Sequence, residues 1–186
     1  MALLITGLAL WVVVHLFPAV CKNMRAGIIE KVGLKPYKGM FALTILASVV
    51  VIVIGWRSIE PQYLYYPEAW TRHVTFLLVL ITFILFSAAK SKTNIKHVLR
   101  HPQLTGLVIW SIGHLLANGE DRSIVLFATL GIWAILEIIV INRREGAWQK
   151  PEHVPVKNDI KTVVAGVVVY VVIMFLHPYF TGMKLI

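Results

Sequence analysis

The sequence predicts an all-α polytopic membrane protein: one domain over residues 1–186, built as a six-transmembrane-helix bundle with both termini on the non-cytoplasmic side. Three observations lead there. Of the 186 residues, 58% are hydrophobic and only 15% charged, with a mean hydropathy of +0.77, whereas water-soluble domains carry about 25% charged residues. The apolar residues fall in six runs, each near the roughly 20 residues needed to cross a hydrocarbon layer. Finally, the basic residues collect in alternate loops, the pattern expected of cytoplasmic connections.

The first run, Ala2 to Cys21, has no Lys or Arg before it and basic residues after it, the reverse of a secretory signal, so it is expected to be a retained helix. Pro18 inside it predicts a bend just after His15. Gly39 to Trp56 and His73 to Ala89 are uninterrupted apolar stretches. Pro102 to Asn118 is the shortest and most polar, so its ends are the hardest to place. Ser123 to Asn142 and Ile160 to Phe180 complete the set. Each run is expected to be helical, because backbone groups in lipid have to be satisfied within the segment. Cys21 is the single cysteine and excludes an intrachain disulfide.

The chain holds 18 Lys and Arg against 9 Asp and Glu, a net charge of +9. Fourteen of the 18 lie in the stretches from Lys22 to Lys38, Lys90 to Gln103 and Arg143 to Lys161; Arg57, Arg72, Arg122 and Lys184 fall on the other side. That asymmetry places the three basic loops in the cytoplasm. The aromatic group Tyr63, Tyr65, Tyr66 and Trp70 then marks the outer interface. The basic loops lack interleaved aromatics, so anionic membrane lipid rather than nucleic acid is the expected partner.

Polar residues at membrane depth carry the functional signal, because each is costly unless it meets a partner or a cavity. Five of the seven histidines, His73, His97, His101, His153 and His177, fall in loops or near helix ends and read as interfacial. His15 and His114 remain. His15 lies about 9 Å from the basic end of the first helix and His114 about 18 Å from the basic end of the fourth, at 1.5 Å per residue; tilt and uncertain helix ends are expected to absorb much of the difference. Two histidines on separate helices can grip a flat metallocofactor from both faces, haem iron being the natural candidate. Interhelical hydrogen bonding and a proton relay stay open as alternatives. Two histidines are too few for a zinc site. Trp11 and Trp110 each precede a histidine by four residues and share its helical face. Lys22 and Arg25 are candidates for meeting haem propionates. Glu137 is the other charge within a run, with Arg100, Lys22 or Arg25 as its expected partner. No phosphate-binding loop, nucleophile elbow, HExxH pair or CxxC motif is present.

The stretch LRHPQLTGLVIWSIGHLLANGE, Leu99 to Glu120, resembles the NnrU family of membrane proteins. So do His15, the runs Gly33 to Ser48 and Thr71 to Ala89, Asn142-Arg143-Arg144, and Leu176-His177-Pro178 with Gly182. The resemblance spans nearly the whole chain and implies a bacterial inner-membrane protein linked to denitrification, through nitrite and nitric oxide reductase activity. A plant relative, zeta-carotene isomerase, is a haem b protein that rotates a central polyene double bond, and its haem-binding histidines correspond to His15 and His114 here. The resemblance therefore implies haem b on these two residues, with a hydrophobic polyene as one substrate class and a respiratory complex as another partner class. One departure bears on chemistry: the relative's cysteine one turn before its second histidine is Ser111 in this chain, which cannot supply a thiolate. A non-enzymatic assembly or interaction factor for respiratory membrane complexes is the competing function.

Overall fold

The computed structural model describes residues 1–183 and 185, for Phe180 the backbone; Lys184, counted above on the non-cytoplasmic side, lies outside the described residues. Eight helices follow in order: α1 (Ala2–Val20), α2 (Lys22–Val32), α3 (Leu34–Arg57), α4 (Thr71–Lys90), α5 (Ile95–Val98), α6 (Pro102–Ala117), α7 (Asp121–Glu145) and α8 (Val156–Thr181). The fold is all-helical; one isolated antiparallel bridge, Tyr63 to Glu120, is the extended pairing among the described residues.

Five helices, α1, α3, α4, α7 and α8, are long and apolar enough to cross a membrane. The sixth expected crossing is α6, whose 16 residues span about 24 Å, short of a hydrocarbon core of about 30 Å. Its apolar run is cut at one end by Pro102 at the first helical turn and at the other by extended backbone at Asn118. Two helices lie where loops were expected. The basic connection after α1 folds into α2, eleven residues with none buried, ended by Gly33 at φ 87°. The short α5 lies in the next basic loop. Pro18 does fall inside α1, and the helix runs only to Val20.

Packed neighbours form a row, α3–α1–α7–α6–α4–α8. Lipid tails are as apolar as leucine, so helices in a bilayer associate through close packing rather than through water exclusion. Glycines allow that packing at both flanks of the row. A Cβ on Gly55 of α3 would sit 2.5 Å from the backbone nitrogen of Leu4 in α1, and one on Gly166 of α8 would sit 2.6 Å from Cα of Ile84 in α4. Leu4, Leu8 and Ile52 form the buried apolar cluster beside the first contact. Outward-facing residues of α8, such as Val168, Val172 and Phe175, are exposed apolar side chains that suit a lipid surround.

Polar ties hold the two ends. At the basic end the Asp159 carboxylate accepts from the Thr93 hydroxyl (2.5 Å), the Asn94 backbone N–H (2.7 Å) and the Asn94 amide (2.7 Å). His101 meets Asn142 at 2.9 Å, and the rings of His97 and His153 stack at 3.7 Å. At the opposite end, the loop after α3 is sewn to the turn before α7. Leu64 N–H donates to the Gly119 carbonyl at 2.8 Å and Asp121 N–H to the Gln62 carbonyl at 2.9 Å. A side chain at Gly119 would collide with the Tyr65 carbonyl, which explains glycine there. The Tyr65 hydroxyl donates to the carbonyls of Leu115 and Asn118, and burial pushes the phenol up, so it stays a donor.

Arg122 is the brace of this end. Its guanidinium donates to the carbonyls of Trp56 (3.3 Å) and Ile59 (3.0 Å), lies 3.8 Å from the Trp56 ring centroid and pairs with Glu120 at 2.9 Å, the two side chains only 12% and 6% exposed. Removing one member of a buried pair leaves the other charged and unpaired, at a cost of about 3–5 kcal/mol. Arg122→Ala is therefore expected to lower the thermal midpoint in detergent, followed by circular dichroism. Adding Glu120→Gln is expected to recover much of the loss; equal melting of the single variant and the parent would show that the brace carries no stability.

Candidate functional site

The position of α6 comes from α4. The Thr75 hydroxyl lies between the carbonyl of Thr71 in its own helix (2.9 Å) and that of Gly113 in α6 (2.8 Å). Thr82 repeats the arrangement two turns on, between Leu78 (2.9 Å) and Gly106 (3.0 Å). Both threonines are buried, and both α6 acceptors are glycines, so the helices can approach closely. Each hydroxyl uses the second lone pair of a carbonyl already engaged within its helix.

His114 is one residue beyond Gly113. Its Nδ1 lies 2.9 Å from the carbonyl oxygen of Trp110. A carbonyl only accepts, so Nδ1 carries the proton and Nε2 keeps a lone pair, the form in which imidazole binds a metal. The ring is held between Trp110 (centroids 4.4 Å apart) and Phe127 of α7 (4.6 Å). The Asn118 amide donates to the His114 carbonyl at 2.8 Å.

His15 repeats the motif on α1. Its Nδ1 is 2.9 Å from the Trp11 carbonyl, leaving Nε2 unprotonated, and its ring packs against Trp11 (4.1 Å) and Trp133 of α7 (4.8 Å). The two histidines thus lean on the same helix, α7, from α1 and from α6. They do so at different levels: Phe127 and Trp133 are six residues apart, about 9 Å along the axis. Helical side chains lean toward their own N-terminus, and α1 and α6 lead into opposite ends of the bundle, so both rings lean toward its middle.

A cavity of about 1110 Å³ opens beside His114, at the upper limit for small-ligand pockets. Its wall includes Trp110 and His114 of α6, Phe127 of α7, Trp56 of α3, and Ile173 and His177 of α8. Arg72, His73 and Glu68 stand where it meets the loop before α4. His15 is not part of this wall, and neither are Lys22 and Arg25, which start α2 at the far, basic end. Arg25 instead lies 5.7 Å from the Tyr37 ring centroid. Around His15 there is a surplus of buried donors without hydrogen-bond partners: Nε1 of Trp11 and Trp133, the Tyr37 hydroxyl and Nε of Arg25.

Two of the expected partners of Glu137, Arg100 and Arg25, are engaged differently. Arg100 pairs with Glu145 at 3.2 Å and donates to the Gly146 carbonyl at 2.8 Å, because the start of α6 lies level with the end of α7, two turns beyond Glu137. Glu137 keeps a buried carboxylate oxygen with no hydrogen-bond partner. Ser111, at the place of the relative's cysteine, is buried against Gly131 of α7, where a Cβ would sit 2.9 Å from its own; it does not reach the cavity wall. His177 is the residue that sequence reasoning passed over. Its signal was its depth: four residues from the end of α8, as His114 is three from the end of α6.

As a test of fit, the donor chemistry of His114 suits haem: a neutral imidazole in a fixed tautomer, aromatic neighbours and adjoining space. His15 has the same donor chemistry without the shared space.

These features define a helical, multi-pass type of membrane protein with a histidine-bearing internal cavity. The chain belongs to the NnrU protein family, which it matches over residues 3–185. No curated protein and no solved structure matches it.

Hydrogen bonds between membrane helices are worth about 0.6 to 1.7 kcal/mol. Thr75→Val, which keeps the shape and removes the hydroxyl, is expected to lower stability on that scale and to loosen His114. Hydrogen exchange at the amides of residues 110–117 reads this out; unchanged exchange would mean that α6 is positioned without Thr75.

Proposed function

We propose that the protein holds haem b inside its helix bundle, with His114 as one axial ligand. The observation that carries this reading is the His114 imidazole, tied at Nδ1 to the Trp110 carbonyl and bordering a large apolar cavity. His15, with the same tautomer, is the partner that the sequence and the resemblance nominate, and Lys22 and Arg25 are the corresponding candidates for the propionates. When bound, haem supplies one-electron redox chemistry and a Lewis-acidic iron. The chain's own part is to fix the imidazole through the Trp110 carbonyl, to shield the site from water with Trp110 and Phe127, and to hold α6 in register through Thr75 and Thr82.

In this reading α6 is the sixth crossing, both termini face away from the cytoplasm and the membrane is the bacterial inner membrane; the 14 to 4 distribution of Lys and Arg supports that orientation. The role proposed for the haem protein is in nitrogen-oxide respiration or its regulation. With two imidazoles as its ligands, the haem would supply electron transfer more readily than direct chemistry on nitric oxide or on a polyene double bond.

The test is an absorption spectrum of detergent-purified protein, oxidised and then reduced. A Soret band is expected in the parent and its loss in His114→Ala. Full haem occupancy in His114→Ala overturns the ligation. A fully helical parent with no haem, from haem-supplemented cells, instead favours the assembly-factor role.

A further inference from the structure

The wall that carries His114 carries a second imidazole, His177 of α8. Its Nδ1 lies 3.2 Å from the Met183 carbonyl oxygen and 3.1 Å from the Thr181 hydroxyl. As with His114, a carbonyl facing Nδ1 places the proton there and leaves the Nε2 lone pair uncommitted. The contact depends on the end of α8: Gly182, at φ 76° in the left-handed region, turns the chain back so that the Met183 carbonyl reaches the ring. Only glycine adopts that conformation without cost.

His177 also matches His114 in depth. The two stand three and four residues from the ends of their helices at the same end of the bundle, about 4.5 and 6 Å. His15, by contrast, packs against α7 six residues deeper and off the cavity wall. The cavity has aromatic walls in Trp110, Phe127, Trp56 and Phe76. At its mouth is Arg72, whose guanidinium lies 5.5 Å from the Phe76 ring centroid.

We infer that His177, and not His15, is the second axial ligand, so that the haem occupies the cavity between α6 and α8 with its carboxylates toward Arg72. This rests on the haem reading above and changes its second ligand and its location, from the basic end of the bundle to the opposite one. Two imidazoles that line one cavity from different helices, each with Nδ1 tied to a carbonyl of its own segment and neither with an Nε2 hydrogen bond among the described residues, are the kind of donor pair that a six-coordinate haem iron takes.

Absorption spectra of the full-length protein in detergent separate the possibilities, using His177→Gly, His15→Gly and His114→Gly, each with and without added imidazole. Outer-shell partners alone are worth about 10–100-fold in metal affinity, so loss of a ligand is expected to weaken haem retention by at least that. The expected result is weakened retention or a high-spin spectrum in His114→Gly and His177→Gly, restored to low spin by imidazole, with a low-spin spectrum kept in His15→Gly. A low-spin spectrum kept in His177→Gly while His15→Gly loses it and regains it with imidazole overturns the inference and leaves the haem reading standing. Should all three variants lose haem, rescue by imidazole decides: rescue of His177→Gly but not of His15→Gly supports the inference, and any other pattern overturns it. A parent protein without haem overturns both.

Discussion

The arrangement of this bundle depends on two hydroxyls. Thr75 and Thr82 each stand between a carbonyl of α4 and a carbonyl of α6, in an environment with no water to compete for those acceptors. The short α6 lies between α4 and α7 in the row of packed helices and lacks the length to be held by the bilayer alone. Its depth and rotation are set by these contacts. Those two quantities decide where the His114 ring goes: onto Phe127 and beside the cavity, rather than into lipid. The site is thus a consequence of how one helix is hung on another.

Much of the bundle could be read from the chain. Hydrophobic length located α1, α3, α4, α7 and α8, because the demand for internally satisfied backbone leaves little choice in lipid. Two helices in the basic loops escaped, α2 and the short α5. The basic segment Lys22–Val32 forms a helix despite low hydropathy, since it lies at an end of the bundle where water and charge are tolerated; apolar run length says nothing there. The extent of α6 was legible to within one residue, because Pro102 opens it and the polar Asn118, Gly119 and Glu120 follow its end; their pairing with the loop after α3 through Tyr63, Leu64 and Tyr65 is a tertiary feature that run length does not reveal.

The site was partly legible. Spacing singled out His15 and His114 as costly in lipid, and both have the same hydrogen bond to the carbonyl four residues back, a purely local consequence of helix geometry. What spacing could not supply was which rings share a cavity, because that depends on the order of helices in the row. The order α6–α4–α8 brings His177 to the space beside His114, while α7 stands between α1 and α6 and separates His15 from it. Glu137 failed for a similar reason: its expected partner Arg100 is level with Glu145 rather than with the preceding turns.

The joints on either side of α2 have a mechanical consequence. Cys21 alone separates it from α1, and Gly33 alone separates it from α3. Single-residue joints keep the two ends of α2 close to the ends of α1 and α3. With Lys22, Arg25 and Lys31 along it, its attachment follows the electrical state of the adjoining lipid surface. The pair α1–α3 is in close contact at Gly55 and Leu4, so the basic helix is tethered at both ends to one tightly packed unit.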